Sequence, residues 1–133
     1  MIGRFYVVGI LVGLTAGFVV TLIGGAFAGL FLGLAGIDLG HDPFENTLFI
    51  VSLLIAASVG FITSGFAAAR CSPGDWIFDV GATSVVVLFL NAVAVLDAET
   101  KVFPFWFNLS LFLLSAPLVL AGGRLHSRRL RVD

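Results

Sequence analysis

Apolar residues fall into four blocks, 5–34, 44–69, 76–96 and 104–121, separated by short polar segments. Each block has about the 20 residues that a helix needs to cross ~30 Å of hydrocarbon. Charged residues collect between the blocks, with Glu45 at the edge of the second and Asp79 inside the third as exceptions. The pattern predicts an all-α fold: an integral membrane four-helix bundle forming one domain. Residues 122–133 follow it as a basic interfacial tail.

The first block has a second period. A small residue returns at every fourth position: Gly9, Gly13, Gly17, Thr21, Gly25, Gly29 and Gly33. Glycine costs a helix in water about 1 kcal/mol per residue against alanine. In lipid the backbone has no other partner, so such a helix persists. Its bare ridge then admits a second helix to backbone distance. The second block carries a matching row, Ser52, Ala56, Gly60, Ser64 and Ala68. Antiparallel packing of helix 1 on helix 2 pairs 29 with 52, 25 with 56, 21 with 60, 17 with 64 and 13 with 68. That geometry belongs to the right-handed crossings near about −40°. The competing arrangement pairs the ridge with the same ridge of a second copy.

Local signals set the expected helix ends. Gly36 is suited to terminate helix 1, because glycine accepts the left-handed conformation of a C-cap. Asp42-Pro43-Phe44-Glu45 reads as a helix start, with Asp42 as cap and Glu45 as the returning acid. Ser72-Pro73-Gly74-Asp75 repeats that grammar before helix 3. Helix 1 is longer than the bilayer is thick, and Gly24-Gly25 is its expected flexible point. Pro117 lies inside helix 4 and leaves the Leu113 carbonyl for Ser115 or water, while Gly122-Gly123 is expected to end that helix.

Helices 3 and 4 carry isolated polar residues at matching depths. Asn91 is expected against Asn108, Ser84 and Ser115 lie deeper, and Asp75 or Asp79 is expected beside Arg124. Such interhelical contacts average only ~0.6 kcal/mol in membranes, so they orient the pair more than they hold it.

Charge gives the topology. Arg4, Arg70, Arg124, Arg128, Arg129 and Arg131 fall at the N-terminus, the second connection and the tail. Asp38, Asp42, Glu45, Asp97 and Glu99 fall in the other two connections, with Lys101 alone against them. The positive-inside rule then puts both termini in the cytoplasm, in a bacterial inner membrane. Arg124, Arg128, Arg129 and Arg131 are placed to meet anionic lipid headgroups, a protein partner being the other reading of the tail. His126 is expected to be exposed there. Phe5, Tyr6, Trp76, Phe103, Phe105 and Trp106 suit the interfacial aromatic belt. The single Cys71 excludes an intramolecular disulfide. The first block is too long for the h-region of a signal peptide and is read as retained.

Chemistry has few candidates. Asp79 is the one ionisable residue well inside a block, and pairing with Arg124 or Arg70, or snorkelling, is the expected use of it. Asp38, His41, Asp42 and Glu45 are metal-ligand types, but Gly40 and Pro43 break the helix that would align them. They read as a solvated acidic loop. No nucleophile, dinucleotide or phosphate-loop fingerprint occurs, nor a basic face for nucleic acid. The expectation is a protein with no catalytic, cofactor or metal site.

The opening Gly3-Arg4-Phe5-Tyr6-Val7-Val8-Gly9 is similar to the start of GtrA-like proteins, small four-helix membrane proteins implicated in polyprenyl-linked sugar transfer. The similarity covers these residues alone. Size and span number resemble the small multidrug transporters, whose essential helix-1 acid has no counterpart here. The function expected from the residues is that of an accessory or assembly partner, acting through lateral helix contacts with another membrane protein or with itself. The alternative is a small oligomeric channel or carrier, with Thr15, Thr21, Thr63 and Ser64 along a polar path.

Overall fold

In the computed structural model the chain forms four α-helices: α1 (Ile2–Leu34), α2 (Thr47–Arg70), α3 (Trp76–Leu96) and α4 (Phe105–Arg129). The structure describes residues 2–38, 46–72, 75–97 and 103–129, with backbone only for 2–6 and 129. All four helices are long and apolar enough to span a bilayer. This is a multi-pass membrane protein.

The helices alternate in direction. The start of α1, the end of α2, the start of α3 and the end of α4 therefore share one face of the bundle, called here the terminal face. α2 packs between α1 and α4, and α3 completes the ring by touching α4 and α1. The core lies toward the terminal face, around Ala68, Ala69, Val80, Val87 and Val119, with Leu14, Phe61 and Trp76 against it. Large apolar side chains cover the outside, among them Phe18, Phe27, Phe31, Phe78 and Phe89. Lipid is the solvent such a surface requires.

Local chemistry explains most of the helix ends. Gly36, at φ +75°, stops α1. The Ile37 N–H donates to the Leu32 carbonyl at 3.1 Å and the Gly36 N–H to the Gly33 carbonyl at 3.1 Å, the two bonds of a Schellman motif. The cap of α2 is Asn46, whose side-chain oxygen accepts from the N–H groups of Leu48 and Phe49. This replaces the expected cap at Asp42, since asparagine beside the first apolar turn already satisfies two free donors. For α3 the cap is Asp75, accepting from the Ile77 N–H at 3.1 Å, so Asp75 fills the cap position itself and not the third helical one.

Two expected interruptions do not occur. α1 is one unbroken helix across Gly24-Gly25, because Gly24 is packed: a methyl built on it would lie 2.8 Å from Ala56 Cβ. α4 likewise continues through Gly122-Gly123 to Arg129. Those two glycines face α2 and α3, and close packing replaces the C-cap role.

Candidate functional site

The seam between α1 and α2 is built from residues too small to keep the backbones apart. A methyl on Gly13 would lie 2.8 Å from Ala68 Cβ and 2.9 Å from the Ser64 carbonyl. One on Gly17 would lie 2.8 Å from Ser64 Cβ and 2.9 Å from the Gly60 carbonyl. Gly60 in turn faces Thr21, whose hydroxyl donates to the Gly17 carbonyl at 2.9 Å. The structure thus brings together 13 with 68, 17 with 64 and 21 with 60. Farther out, Gly24 and not Gly25 meets Ala56, Gly25 meets Leu53, and Gly29 meets Phe49. Among the described residues Gly33 meets nothing within 4 Å. The pairings 25 with 56 and 29 with 52 are therefore displaced. At 3.6 residues per turn, a step of four overshoots a full turn by about 40°. A period-four row winds around the helix and leaves a straight line of contact after a few steps.

A second seam, between α2 and α4, was not anticipated. A methyl on Gly65 would overlap the Val119 carbonyl oxygen and lie 2.7 Å from its carbon. One on Gly122 would overlap the Ile62 carbonyl oxygen and lie 3.0 Å from the Phe66 nitrogen. Gly123 receives the Val80 methyls and the Trp76 ring edge on its other side. α2 thus has small residues on two faces, and the sequence carries that signal as adjacent small pairs: Ala56-Ala57, Ser64-Gly65 and Ala68-Ala69. Ala57, Ser64, Gly65, Ala68 and Ala69 are all buried.

The isolated polar residues serve their own helices. Asn91 Nδ2 donates to the Val87 carbonyl at 2.8 Å, one turn back in α3, and not to Asn108. Ser52, Thr63, Thr83 and Ser110 donate in the same i−4 manner. A free carbonyl lone pair one turn away is always in reach of a short side chain, whereas a partner on another helix depends on register. Ser115 is fully buried and donates to the Phe112 carbonyl at 2.9 Å, not to that of Leu113. Ser84 is buried in α3.

Asp79 departs most from expectation. It is fully buried, and neither carboxylate oxygen has a hydrogen-bond partner. It neither snorkels to the membrane surface nor pairs with Arg124, which is exposed on α4, or with Arg70, exposed at the end of α2. The cause is α1, which covers it: a methyl on Gly9 would lie 2.8 Å from Asp79 Oδ2 and 3.4 Å from the Ala68 carbonyl oxygen. Asp75, the other acid expected near Arg124, is exposed and engaged as the α3 cap.

Above Asp79, α3 continues along one face through Thr83, Val87 and Asn91, and α1 and α3 separate. A cleft of about 520 Å³ opens there, floored by Ala57, Phe61 and Ser64 of α2. Thr15, Gly17 and Thr21 form one wall, Val87 and Asn91 the other, and the exposed Phe18 and Leu90 stand at the rim. The Ser64 hydroxyl is buried there without a partner. Thr63 does not line the cleft. Most of the lining is apolar, so the cleft suits a hydrocarbon chain or an apolar side chain, with a few hydroxyl and amide groups on its inner surface.

At the terminal face Arg124 and Arg128 are exposed on the last turns of α4. The Arg129 side chain and Arg131 lie outside the described residues. His126 is not free, but sets its ring edge-on to Phe66 at 5.3 Å. Cys71 is exposed and outside any disulfide. His41, Asp42 and Glu45 fall outside the described residues. Among the described residues no group of three His, Cys, Asp or Glu side chains is arranged for a metal.

No family model, curated protein or solved structure matches this chain.

Proposed function

We propose that this protein is a non-catalytic membrane protein that works by lateral contact within the bilayer, as an accessory or assembly partner for a transmembrane helix. The observation that supports this is the unfinished outer half of the bundle. Among the described residues α1 outlasts its close contact with α2: a methyl on Gly33 would meet nothing within 4 Å, and one on Gly29 would lie 3.4 Å from the Phe49 ring. An incoming helix meets no Cβ at Gly33, the condition for close approach in lipid. Orientation follows from the arginines gathered at the terminal face, which the positive-inside rule places in the cytoplasm of a bacterial inner membrane. Arg124 and Arg128 then extend toward anionic headgroups.

Native mass spectrometry after gentle extraction from the source membrane tests this reading. A fixed complex with a second membrane protein, or a homo-oligomer, is expected, and Gly33→Leu should dissociate it. A lone monomer in both wild type and variant overturns the proposal.

The cleft favours a second reading, a small carrier or channel for an apolar or lipid-linked substrate, with Thr15, Thr21, Ser64 and Asn91 as its polar contacts. Substrate-dependent flux in liposomes containing the protein alone would select it.

A further inference from the structure

We propose that Asp79 is a proton-binding site, and that the closed bundle holds it as the neutral carboxylic acid. An ionised carboxylate in an apolar interior is stable only when paired or hydrogen-bonded. Both oxygens of Asp79 lack any such partner, and the side chain has no exposed surface. Intramembrane acids in that position mark proton or ion pathways.

Among the described residues no surrounding element supplies a compensating charge. α1 presents Gly9, α2 presents Ala68, and α3 contributes its own Val80 and Thr83, whose hydroxyl is committed to the Asp79 carbonyl at 2.8 Å. From α4, Gly123 packs against Val80, the neighbour of Asp79 in α3. The charged groups of this face are turned elsewhere: Arg70, Asp75, Arg124 and Arg128 are exposed, and His126 is against Phe66. Arg4, on α1 before Gly9, has its side chain outside the described residues.

The electrostatics of the helix ends divide. The first turn of α3 favours a negative charge, while the last carbonyls of α2 oppose one. The Ala68 carbonyl is among the latter, since the Ser72 N–H that would reach it donates to Ala69 instead. It therefore offers an acceptor in the crevice that Asp79 occupies, and only a protonated carboxyl brings a hydrogen to such an acceptor.

A proton fits where a metal ion does not. A hard cation takes about six oxygen ligands. Here one carboxylate and one carbonyl face a glycine whose missing methyl already defines the available space. Protonation needs no volume: one Asp79 oxygen takes a proton from water at the terminal face and forms an O–H bond, and the side chain becomes neutral. Release returns that proton to water, which must first enter between α1 and α3. Separation of α1 from α3 at Gly9 is thereby linked to proton release, below the cleft that the same two helices frame. The site does not depend on whether a partner helix covers the outer half.

Infrared spectroscopy of the full chain in phosphatidylcholine vesicles at neutral pH tests this. The spectrum of wild type minus Asp79→Asn is expected to contain the carbonyl stretch of a protonated carboxylic acid. Carbon-13 aspartate in the wild-type chain shifts the same band and requires no variant. Asp79→Asn, a neutral match in shape, is expected to fold with an unchanged melting temperature. A difference spectrum holding only ionised carboxylate bands overturns the proton site. Such bands responding to sodium or potassium would place a metal ion there instead.

Discussion

α2 has two close neighbours, and the two seams are made differently. Against α1 the contact is a row: Gly13, Gly17 and Thr21 step along Ala68, Ser64 and Gly60. Against α4 it is a point, where Gly65 lies under Val119 and Gly122 under Ile62, each glycine facing a carbonyl group directly. The row is regular and long, and a methyl on Gly13 or Gly17 would lie 2.8 Å from a Cβ atom and 2.9 Å from a main-chain carbonyl, close to its neighbours without overlapping them. The point is short and allows nothing, since what faces each glycine is main chain. Without a hydrophobic force between helices in lipid, association rests on van der Waals fit. One well-placed glycine pair can therefore carry as much as a ridge of seven.

The largest predicted effect breaks the point contact. Gly65→Ala or Gly122→Ala places a carbon on a carbonyl oxygen, and the helices must separate. The cost is expected at or above the upper end of the ~1–3 kcal/mol seen for overpacking. Thermal unfolding in detergent would show it as a melting temperature well below wild type, and an unchanged value would mean that the two backbones are not in contact.

Gly13→Ala and Gly17→Ala test the row. Each is expected to destabilise by about 1–3 kcal/mol, less than the α4-facing pair, because the added methyl would lie 2.8 to 2.9 Å from its neighbours and would not overlap them. Ala68→Gly should restore part of the loss in Gly13→Ala, since the two residues touch. A double-mutant cycle showing no coupling would remove 13 with 68 from the register.

Replacing Asn91 by leucine compares packing with polar contact. Its amide serves its own helix, so the expected loss is at most the ~0.6 kcal/mol typical of polar contacts between membrane helices. A loss of several times that would point to a bond with another helix. Gly33→Ala is the smallest case, expected within about 0.5 kcal/mol of wild type for the isolated chain, because no described residue lies within 4 Å of the added methyl. The same change in the assembled protein should cost more if a partner helix uses that surface.

Much of the fold was legible residue by residue. The blocks give four spans, Gly36 stops α1, and the periodic row of glycines on α1 with its counterpart on α2 locates their shared inner seam. Where the structure departs from the local signals, the cause is common: a local signal has more than one use. Gly122-Gly123 is a good helix terminator and a good contact surface, and only the presence of Ile62 and Phe66 opposite decides between them. Asp42 and Asn46 are both suitable caps, and the one nearer the first hydrogen-bonded turn takes the position.

The candidate site was the less legible part. Asp79 stood out as an acid within a span, but an arginine about one turn away in the expected antiparallel register is an apparent partner. Its isolation depends on Gly9 admitting α1 close enough to cover it, a contact between the first and third helices that no sequence period encodes. The cleft is equally hidden, being the space left where α1 and α3 part.

The chain by itself thus determined its spans, its charge asymmetry and the small faces available for contact, because hydropathy, length and capping act within a few residues. Tertiary structure alone decided which small faces meet, which acid is sealed in and where the bundle stays open. Those outcomes depend on the shape of the opposing helix, and a bilayer, equally apolar on every side, supplies no preference of its own.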